Sequence, residues 1–518
     1  MLLLYHKHMM SVINWITSKQ RWNMPCKAMN FLGSWLVSIY NFDTKCYNMK
    51  KTKTGKWVMI MDKKYDLRII ELSLHNFMNV ADGRVKLSCS KDKQRNFGHS
   101  DILGIYGQNG SGKTAFIHAL AIIKTCLMGQ KLNDEVAAYI KKDASSMTIH
   151  IGFSACVDEE IWDIFYDVTI QQVQDDNQAK AQISAERISV CNGKNRKQTW
   201  ISSDSLNVLR PKKNFNSLLK ANNIALQVKK GIVQSQGRSF IFSNELYKSM
   251  EAIKNRDSIS QARFILMQLK TFATEYLYII GIKDIGFINL SILMPFYFHI
   301  QDNNTHSFGT IAIPIDGPAT IPQNACKTVE TLINDMNSVL TFLIPDFQLE
   351  MQNIGDELDL QGRKMKRIEL VSLRNGQAIP LKYESEGIKK ILSILHVFVG
   401  AFNDSSMTVA IDEFDAGVFE YLLGEILDIF QKSGKGQLIF TSHNLRPLEL
   451  LDRDFIVFTT TNPKNRYIRL KNVKSNNNLR DFYYRTILLG GQDENLYHET
   501  NQYRLQYALR KAGHHGEN

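Results

Sequence analysis

The chain has 518 residues, 44 % of them apolar and 22 % charged, which excludes a disordered or collagen-like polymer and leaves room for roughly two to four globular domains. The longest apolar candidate, Phe31 to Tyr40, is interrupted by Gly33, Ser34 and Ser38, far short of the about 18 residues a membrane span needs. The opening Met1-Leu2-Leu3-Leu4 gives way at once to His6, Lys7 and His8 without the order of a secretory signal, so a cytoplasmic protein with no membrane partner is expected.

The seven cysteines (26, 46, 89, 126, 156, 191 and 326) include no Cys-x-x-Cys pair, and reduced structural thiols are expected. The net charge of +12 is unevenly spread: residues 1–64 hold eleven basic and two acidic side chains, leaving the rest nearly balanced. The same stretch carries four of the six tryptophans and eight of the eighteen methionines, with no sustained helical or alternating period. Residues 1–64 are therefore expected to form a poorly ordered basic extension, or upstream sequence ahead of a start at Met49, Met59 or Met61. A basic aromatic arm for nucleic acid is the competing reading.

From Leu67 the pattern becomes that of a folded domain. Ile69 to Phe77 alternates as a half-buried strand, with Gly83 to Leu87 as its hairpin partner. Ile102 to Tyr106 is a continuous apolar run, as in a strand covered on both faces, and Ala115 to Met128 reads as an apolar helix. The region from Asp204 to Leu343 contains helical stretches such as Ala262 to Ile280 but no sustained heptads, so a mainly helical insertion without a long coiled coil is expected. Short alternating segments from Phe347 to Leu381 read as a β meander, and Gly387 to Val399 as an amphipathic helix. Met407 to Ile411 and Gln437 to Thr441 are two further buried strands. The expected organisation is 1–64 extension, 65–204 first lobe, 205–345 insertion and 346–518 second lobe.

Four segments carry chemistry. Gly107-Gln108-Asn109-Gly110-Ser111-Gly112-Lys113-Thr114 fits G-x-x-x-x-G-K-[ST] between a strand and a helix. Its glycines let consecutive N–H groups face phosphate oxygens, Lys113 reaches the β and γ phosphates, and the Thr114 hydroxyl serves Mg²⁺. Asp412-Glu413 ends an apolar strand, where Asp412 would hold the metal and Glu413 would polarise the attacking water. Ser385 and Gly387 in Glu384-Ser385-Glu386-Gly387 open a helix and offer a second anion site, with ordinary capping as the alternative. His443 follows the last strand and would contact the γ-phosphate or the water.

In this order, GQNGSGKT, ESEG, VAIDEFDAG and FTSHN resemble the Walker A, signature, Walker B with D-loop, and H-loop segments of ABC-type ATPase heads. More narrowly, the chain resembles the RecF/SMC-like group and the prokaryotic OLD-like and AAA-domain ATPases of DNA repair and anti-phage defence, over roughly residues 67–490. The resemblance implies an α/β P-loop NTPase, an ABC-type two-lobed head with an N-terminal antiparallel β subdomain. It further implies ATP and Mg²⁺ as ligands, with head-to-head pairing that puts Ser385 and Gly387 on the partner's nucleotide. The chain departs from transporter subunits in having ESEGI for LSGGQ and Ala416-Gly417-Val418-Phe419 for the D-loop SALD. Gln234 and Gln236 are weak Q-loop candidates. About 75 residues follow His443, too few for a Toprim nuclease domain, so nuclease or toxin chemistry is expected in a separate effector, with DNA or RNA as a further possible partner. Two alternatives stand beside an active ATPase: a low-turnover sensor or scaffold holding that effector, and a transporter ATP subunit.

Overall fold

The computed structural model describes residues 66–513 apart from 91–96, 158–159, 176–177, 193–195, 254–256, 291, 303–304 and 474–477, together with three short strands at 38–40, 47–51 and 57–61. The expectation of a disordered or non-native extension falls largely outside these residues. In chain order the first elements are β1 (Leu67–Phe77), β2 (Val80–Lys86), β3 (Asp101–Tyr106), α1 (Lys113–Leu127), β4 (Ser146–Val157), β5 (Glu160–Asp175), β6 (Gln178–Asn192) and β7 (Gln198–Ser203). Helices α2 (Lys212–Ser235), α3 (Asn244–Glu251) and α4 (Asp257–Thr271) follow, and then strand β8 (Leu277–Ile280). Next come α5 (Ile282–Asn289), β9 (Leu293–Asp302), β10 (Thr305–Pro314), β11 (Ala319–Pro322), α6 (Gln323–Leu343), β12 (Gln348–Leu358), β13 (Lys364–Arg374), β14 (Gln377–Pro380) and α7 (Glu386–Asn403). The chain ends with β15 (Thr408–Ile411), α8 (Glu420–Ser433), β16 (Gln437–Thr441), β17 (Ile456–Thr459), β18 (Tyr467–Ile468), α9 (Leu479–Leu489) and α10 (Gln502–Gly513).

The contacts divide the chain into two units, Cys46–Gly281 with Gly400–Asn518, and Met1–Lys45 with Ile282–Val399. The first unit holds two six-stranded sheets. One is antiparallel, in the order β7-β6-β5-β4-β1-β2. The other, β8-β15-β16-β3-β17-β18, is parallel except at its β17–β18 edge. Every residue of β3, β15, β16 and β17 is buried, which explains why these segments read as unbroken apolar runs.

Two buried polar side chains join the sheets. The Gln437 amide donates from Nε2 to the Ile69 carbonyl at 2.8 Å and to Asp101 Oδ2 at 2.8 Å, while its Oε1 accepts from the Ile69 N–H at 3.1 Å. Arg68, fully buried, donates to the carbonyls of His99 at 2.7 Å, Phe97 at 2.8 Å and Ser405 at 3.2 Å. A buried guanidinium or amide is costly unless its donors and acceptors are matched in this way.

The structure divides the expected 205–345 insertion. Phe215, Leu218, Leu226 and Val233 of α2, with Ile259, Ile265 and Leu269 of α4, bury their apolar faces in the same core as the antiparallel sheet. Helices α2 to α4 therefore belong with the unit that holds the two six-stranded sheets rather than with an insertion. The expected helix from Ala262 to Ile280 ends earlier, because Leu277–Ile280 pairs with β15 as the edge strand β8.

The second unit begins at Ile282 and combines helices with strands. Its β9–β10 hairpin pairs in continuous register from Leu293 with Pro314 to Asp302 with Thr305. A four-stranded sheet contains β11, β12, β13 and β14, with β13 at its centre, and confirms the meander read between Phe347 and Leu381. Helix α6 lays Val329, Leu332, Ile333, Met336 and Leu340 on its buried side. The start of α7, with the ESEG turn, also lies here, rather than with residues 400–518 as expected.

Candidate functional site

Parallel strands leave their following loops at one edge of the sheet, so the segments after β3, β15, β16 and β17 converge there. The first is the glycine-rich loop. Gly107, Gly110 and Gly112 have φ of 148°, 75° and 97°, values that L side chains rarely adopt. Gly107 is doubly constrained, because a Cβ there would sit 1.8 Å from the Thr459 hydroxyl oxygen. That hydroxyl donates to the Tyr106 carbonyl at 3.1 Å and also bonds to Ser111 Oγ. Ser111 Oγ in turn donates to the Gln108 carbonyl at 2.6 Å.

Lys113 opens α1 directly behind this loop and is buried. Its ammonium donates to the carbonyls of Gly107 at 2.8 Å and Gln108 at 3.1 Å. Burial lowers its pKa, and the carboxylates of Asp412, Asp415 and Glu413 act the other way. The cation is thus held on the loop with three acids within electrostatic reach.

Asp412 follows β15 and is 1 % exposed. Its backbone N–H donates to the Ile280 carbonyl at 2.9 Å, its Oδ1 accepts from Thr441 Oγ1, and Thr114 Oγ1 stands 3.5 Å from the same oxygen. Oδ2 is buried and has no hydrogen-bond partner among the described residues. A carboxylate oxygen left without a partner in the interior is expensive, and its position beside a threonine hydroxyl fits the hard oxygen ligation that Mg²⁺ requires. Among the described residues no cluster of three His, Cys, Asp or Glu could hold a metal alone.

Glu413 has φ +48°, a left-handed conformation unusual for glutamate. It is held there by the N–H bond to Thr441 Oγ1 at 2.8 Å, while Phe414 N–H donates to the Thr441 carbonyl at 3.0 Å. Such a backbone persists only where the surroundings enforce it, and it clusters at functional sites.

His443 lies after β16 with an exposed side chain. Its backbone N–H and that of Asn444 donate to Asp415 Oδ2 at 3.1 and 2.9 Å. Partial desolvation and the Lys113 charge lower its pKa against the opposing pull of Asp415, Glu413 and Asp412, so the imidazole is neutral near pH 7 and can accept or donate.

The structure thus brings Lys113, Thr114, Asp412, Glu413 and His443 to one sheet edge. Ser385 and Gly387 belong to the other unit. There Ser385 is exposed, its Oγ accepts from the Ile388 N–H at 3.3 Å, and its carbonyl accepts from the Lys389 N–H at 3.1 Å. Glu384, just before it, is held by Ser372 Oγ at 2.6 Å and by Arg374 through Nε at 3.1 Å and an NH₂ group at 3.0 Å. Neither Q-loop candidate joins the phosphate loop. The Gln234 amide donates to the Ile183 carbonyl at 3.0 Å, and Gln236 Oε1 accepts from Arg238 at 3.1 Å.

Sequence reasoning missed Thr441, Asp415 and Thr459, which orient the site rather than forming it. Asp415 was legible as the third acid of Asp412-Glu413-Phe414-Asp415, whereas Thr459 had no motif to announce it.

Residues 71–285 match the family model described as AAA domain. That stretch, which contains the phosphate loop, is thus similar to an AAA domain. No curated protein matches the sequence. The chain is distantly similar to several solved structures. These include the SMC head domain from Thermotoga maritima, 11 % identical over 78 % of this chain and 99 % of that one, TM-score 0.29. The Smc head domain from Pyrococcus furiosus with an extended coiled coil, bound to the C-terminal domain of ScpA, is 12 % identical over 78 % of this chain and 96 % of that one, TM-score 0.37. The recombination mediator protein RecF with ATP is 12 % identical over 74 % of this chain and 95 % of that one, TM-score 0.31. No described helix is long and apolar enough to cross a membrane.

Proposed function

We propose that this chain is a Mg²⁺-dependent ATPase whose heads close in pairs around ATP and part after hydrolysis. The unpartnered buried oxygen of Asp412 beside Thr114 carries this reading, since it is where a cation bound to a triphosphate would complete the site. The main-chain N–H groups from Gly110 to Thr114 and the Lys113 ammonium hold the β and γ phosphates. Asp412 and Thr114 hold the cation, which neutralises charge as the phosphoryl group transfers. Glu413 orients and polarises the water, and His443 positions it against the γ-phosphate.

Ser385 and Gly387 of a second copy complete the pocket. Ser385 is suited to this by lying exposed at a helix N-terminus, where an anion is favoured. The cycle serves DNA repair or anti-phage defence and works on a separate effector that supplies nuclease or toxin chemistry. This last step follows the motif resemblance, with DNA or RNA as the expected trigger.

Steady-state ATP turnover with and without Mg²⁺ and DNA tests the proposal, alongside the mass of a Glu413→Gln variant in ATP. Mg²⁺-dependent turnover and an ATP-stabilised dimer are expected. Turnover that is slow and indifferent to DNA would favour the sensor or scaffold reading, and a variant that hydrolyses at the parental rate would remove Glu413 from its role.

A further inference from the structure

Helix α10 is amphipathic, yet none of its described side chains is buried. From Gln502 to Ala512 every residue is exposed, with Tyr503 at 86 %, Tyr507 at 70 % and Leu509 at 66 %. A solitary 12-residue helix is marginal in water, so its apolar face needs cover. Leu505, Leu509 and Ala512 recur at i, i+4 and i+7 on one side, and the helix carries three basic residues (Arg504, Arg510 and Lys511) and no acid. The segment leading to it is fixed beside the phosphate loop. Leu496 is buried, Glu494 accepts from Asn462 and Asn465, and His498 N–H donates to Gln108 Oε1 at 2.8 Å. Four residues past that bond the helix begins and projects about 18 Å at the helical rise.

The same unit carries a complementary face. Helix α8 contains three acids, Glu420, Glu425 and Asp428, against one base, Lys432. Its inner side buries Leu423, Leu427 and Phe430. On its outer side Leu422, Ile426 and Ile429 repeat at i, i+4 and i+7; Ile429 is 55 % exposed and Glu425 is exposed beside it. Asp428 shares its charge with Lys432 at 2.6 Å. An apolar stripe edged by acid, exposed at Ile429 and half-buried at Leu422 and Ile426, thus lies on α8, and an apolar stripe edged by base faces solvent on α10.

We propose that α10 of one copy docks on α8 of a second copy, Leu505 and Leu509 against Ile426 and Ile429, with Arg504 and Lys511 meeting Glu425 and Asp428. Two copies can exchange the contact reciprocally, as a closed symmetric pair requires. The interaction is distinct from nucleotide-driven head closure and holds without ATP. Because α8 follows the Walker B turn and the α10 tether bonds to Gln108, each contact links the phosphate loop of one copy to the Walker B helix of the other.

The test is sedimentation of the full chain without nucleotide, repeated in a Lys113→Ala background so that failure of ATP binding and failure of tail docking are read apart. Self-association is expected in both. Leu505→Asp with Leu509→Asp should weaken it at least tenfold, as should Arg504→Glu with Lys511→Glu, or Glu425→Lys with Asp428→Lys. Combining the two charge reversals in one chain should restore association to within about threefold. A wild-type monomer at tens of micromolar, tail variants that associate normally, or reversals that fail to rescue each other would overturn the proposal. So would tail variants that lose only DNA binding, which would make α10 a nucleic-acid surface.

Discussion

The phosphate-loop edge of the parallel sheet and the Ser385 turn are both helix N-termini suited to anions, yet they are built differently. At the first, three strands deliver Lys113, Asp412, Glu413 and His443 to one place, Glu413 is held at φ +48°, and one carboxylate oxygen of Asp412 is left buried without a partner among the described residues. At the second, the serine caps its own helix, Glu384 is satisfied by Ser372 and Arg374, and the surface is open to water. The contrast separates a site that the fold leaves incomplete from one that is complete by itself. Only the former needs a ligand to satisfy its interior, whereas the latter gains a role only when another molecule brings phosphate to it.

Breaking the first site should therefore have the larger effect. Lys113→Ala removes the buried cation and should weaken ATP binding by about 100-fold or more, read by titration calorimetry. Glu413→Gln keeps the shape and loses the water-polarising charge. Hydrolysis should fall by about 10²-fold or more with ATP affinity nearly unchanged, and ATP should trap the dimer. A smaller effect is expected at the second site. Ser385→Ala should reduce turnover by about tenfold while ATP affinity remains, and loss of the cap should cost about 1 kcal/mol of stability. Equal loss of affinity in the Ser385 and Lys113 variants would erase the contrast, because both turns would then hold nucleotide in the same way.

The smallest expected effect lies away from both turns, on the antiparallel sheet. Burial alone would lower the His150 pKa, but hydrogen bonds to Asp167 and to Glu71, the latter at 2.9 Å, raise it. Glu71 is lowered to about 2 by His150 and Arg84 against the cost of burial. The imidazolium thus stabilises the fold fully below its unfolded pKa near 6.5, and this is lost as pH rises through the higher folded value. Glu71 works in the other direction, adding stability above about pH 4.5 that disappears as pH falls toward 2. In His150→Asn the decline of Tm with rising pH above about 6.5 should flatten, a change of about 2–4 °C. Melting curves across pH 5 to 9 would show it, with the ATP site as an unaffected internal reference.

Much of the site was legible because its chemistry forces residue types at fixed spacing. The 107–114 loop, Asp412-Glu413 and His443 sit at strand ends, as the apolar runs before them predict. The parallel strands were legible for the same reason, each being buried on both faces. Domain membership was not. Helix α2 has a single apolar stripe, and its sequence gives no sign whether that stripe meets a distant antiparallel sheet or a neighbouring insertion. The edge strand Leu277–Ile280 reads as a continuation of α4 because a short apolar run fits either period. Arg68 and Gln437 were likewise invisible. A polar residue in an apolar segment reveals its purpose only when distant partners, such as Ser405 for Arg68 and Ile69 for Gln437, are brought alongside.

The Gln437 side chain bonds both backbone groups of Ile69 much as a neighbouring strand would, so β1 is laced to the parallel layer by this residue as well as by Arg68. The layers should then lose structure together, and the Ile69 amide should exchange its hydrogen with solvent only when the whole ATPase unit opens. Glutamine at 437 thereby makes a cooperative body of two sheets that share no ladder.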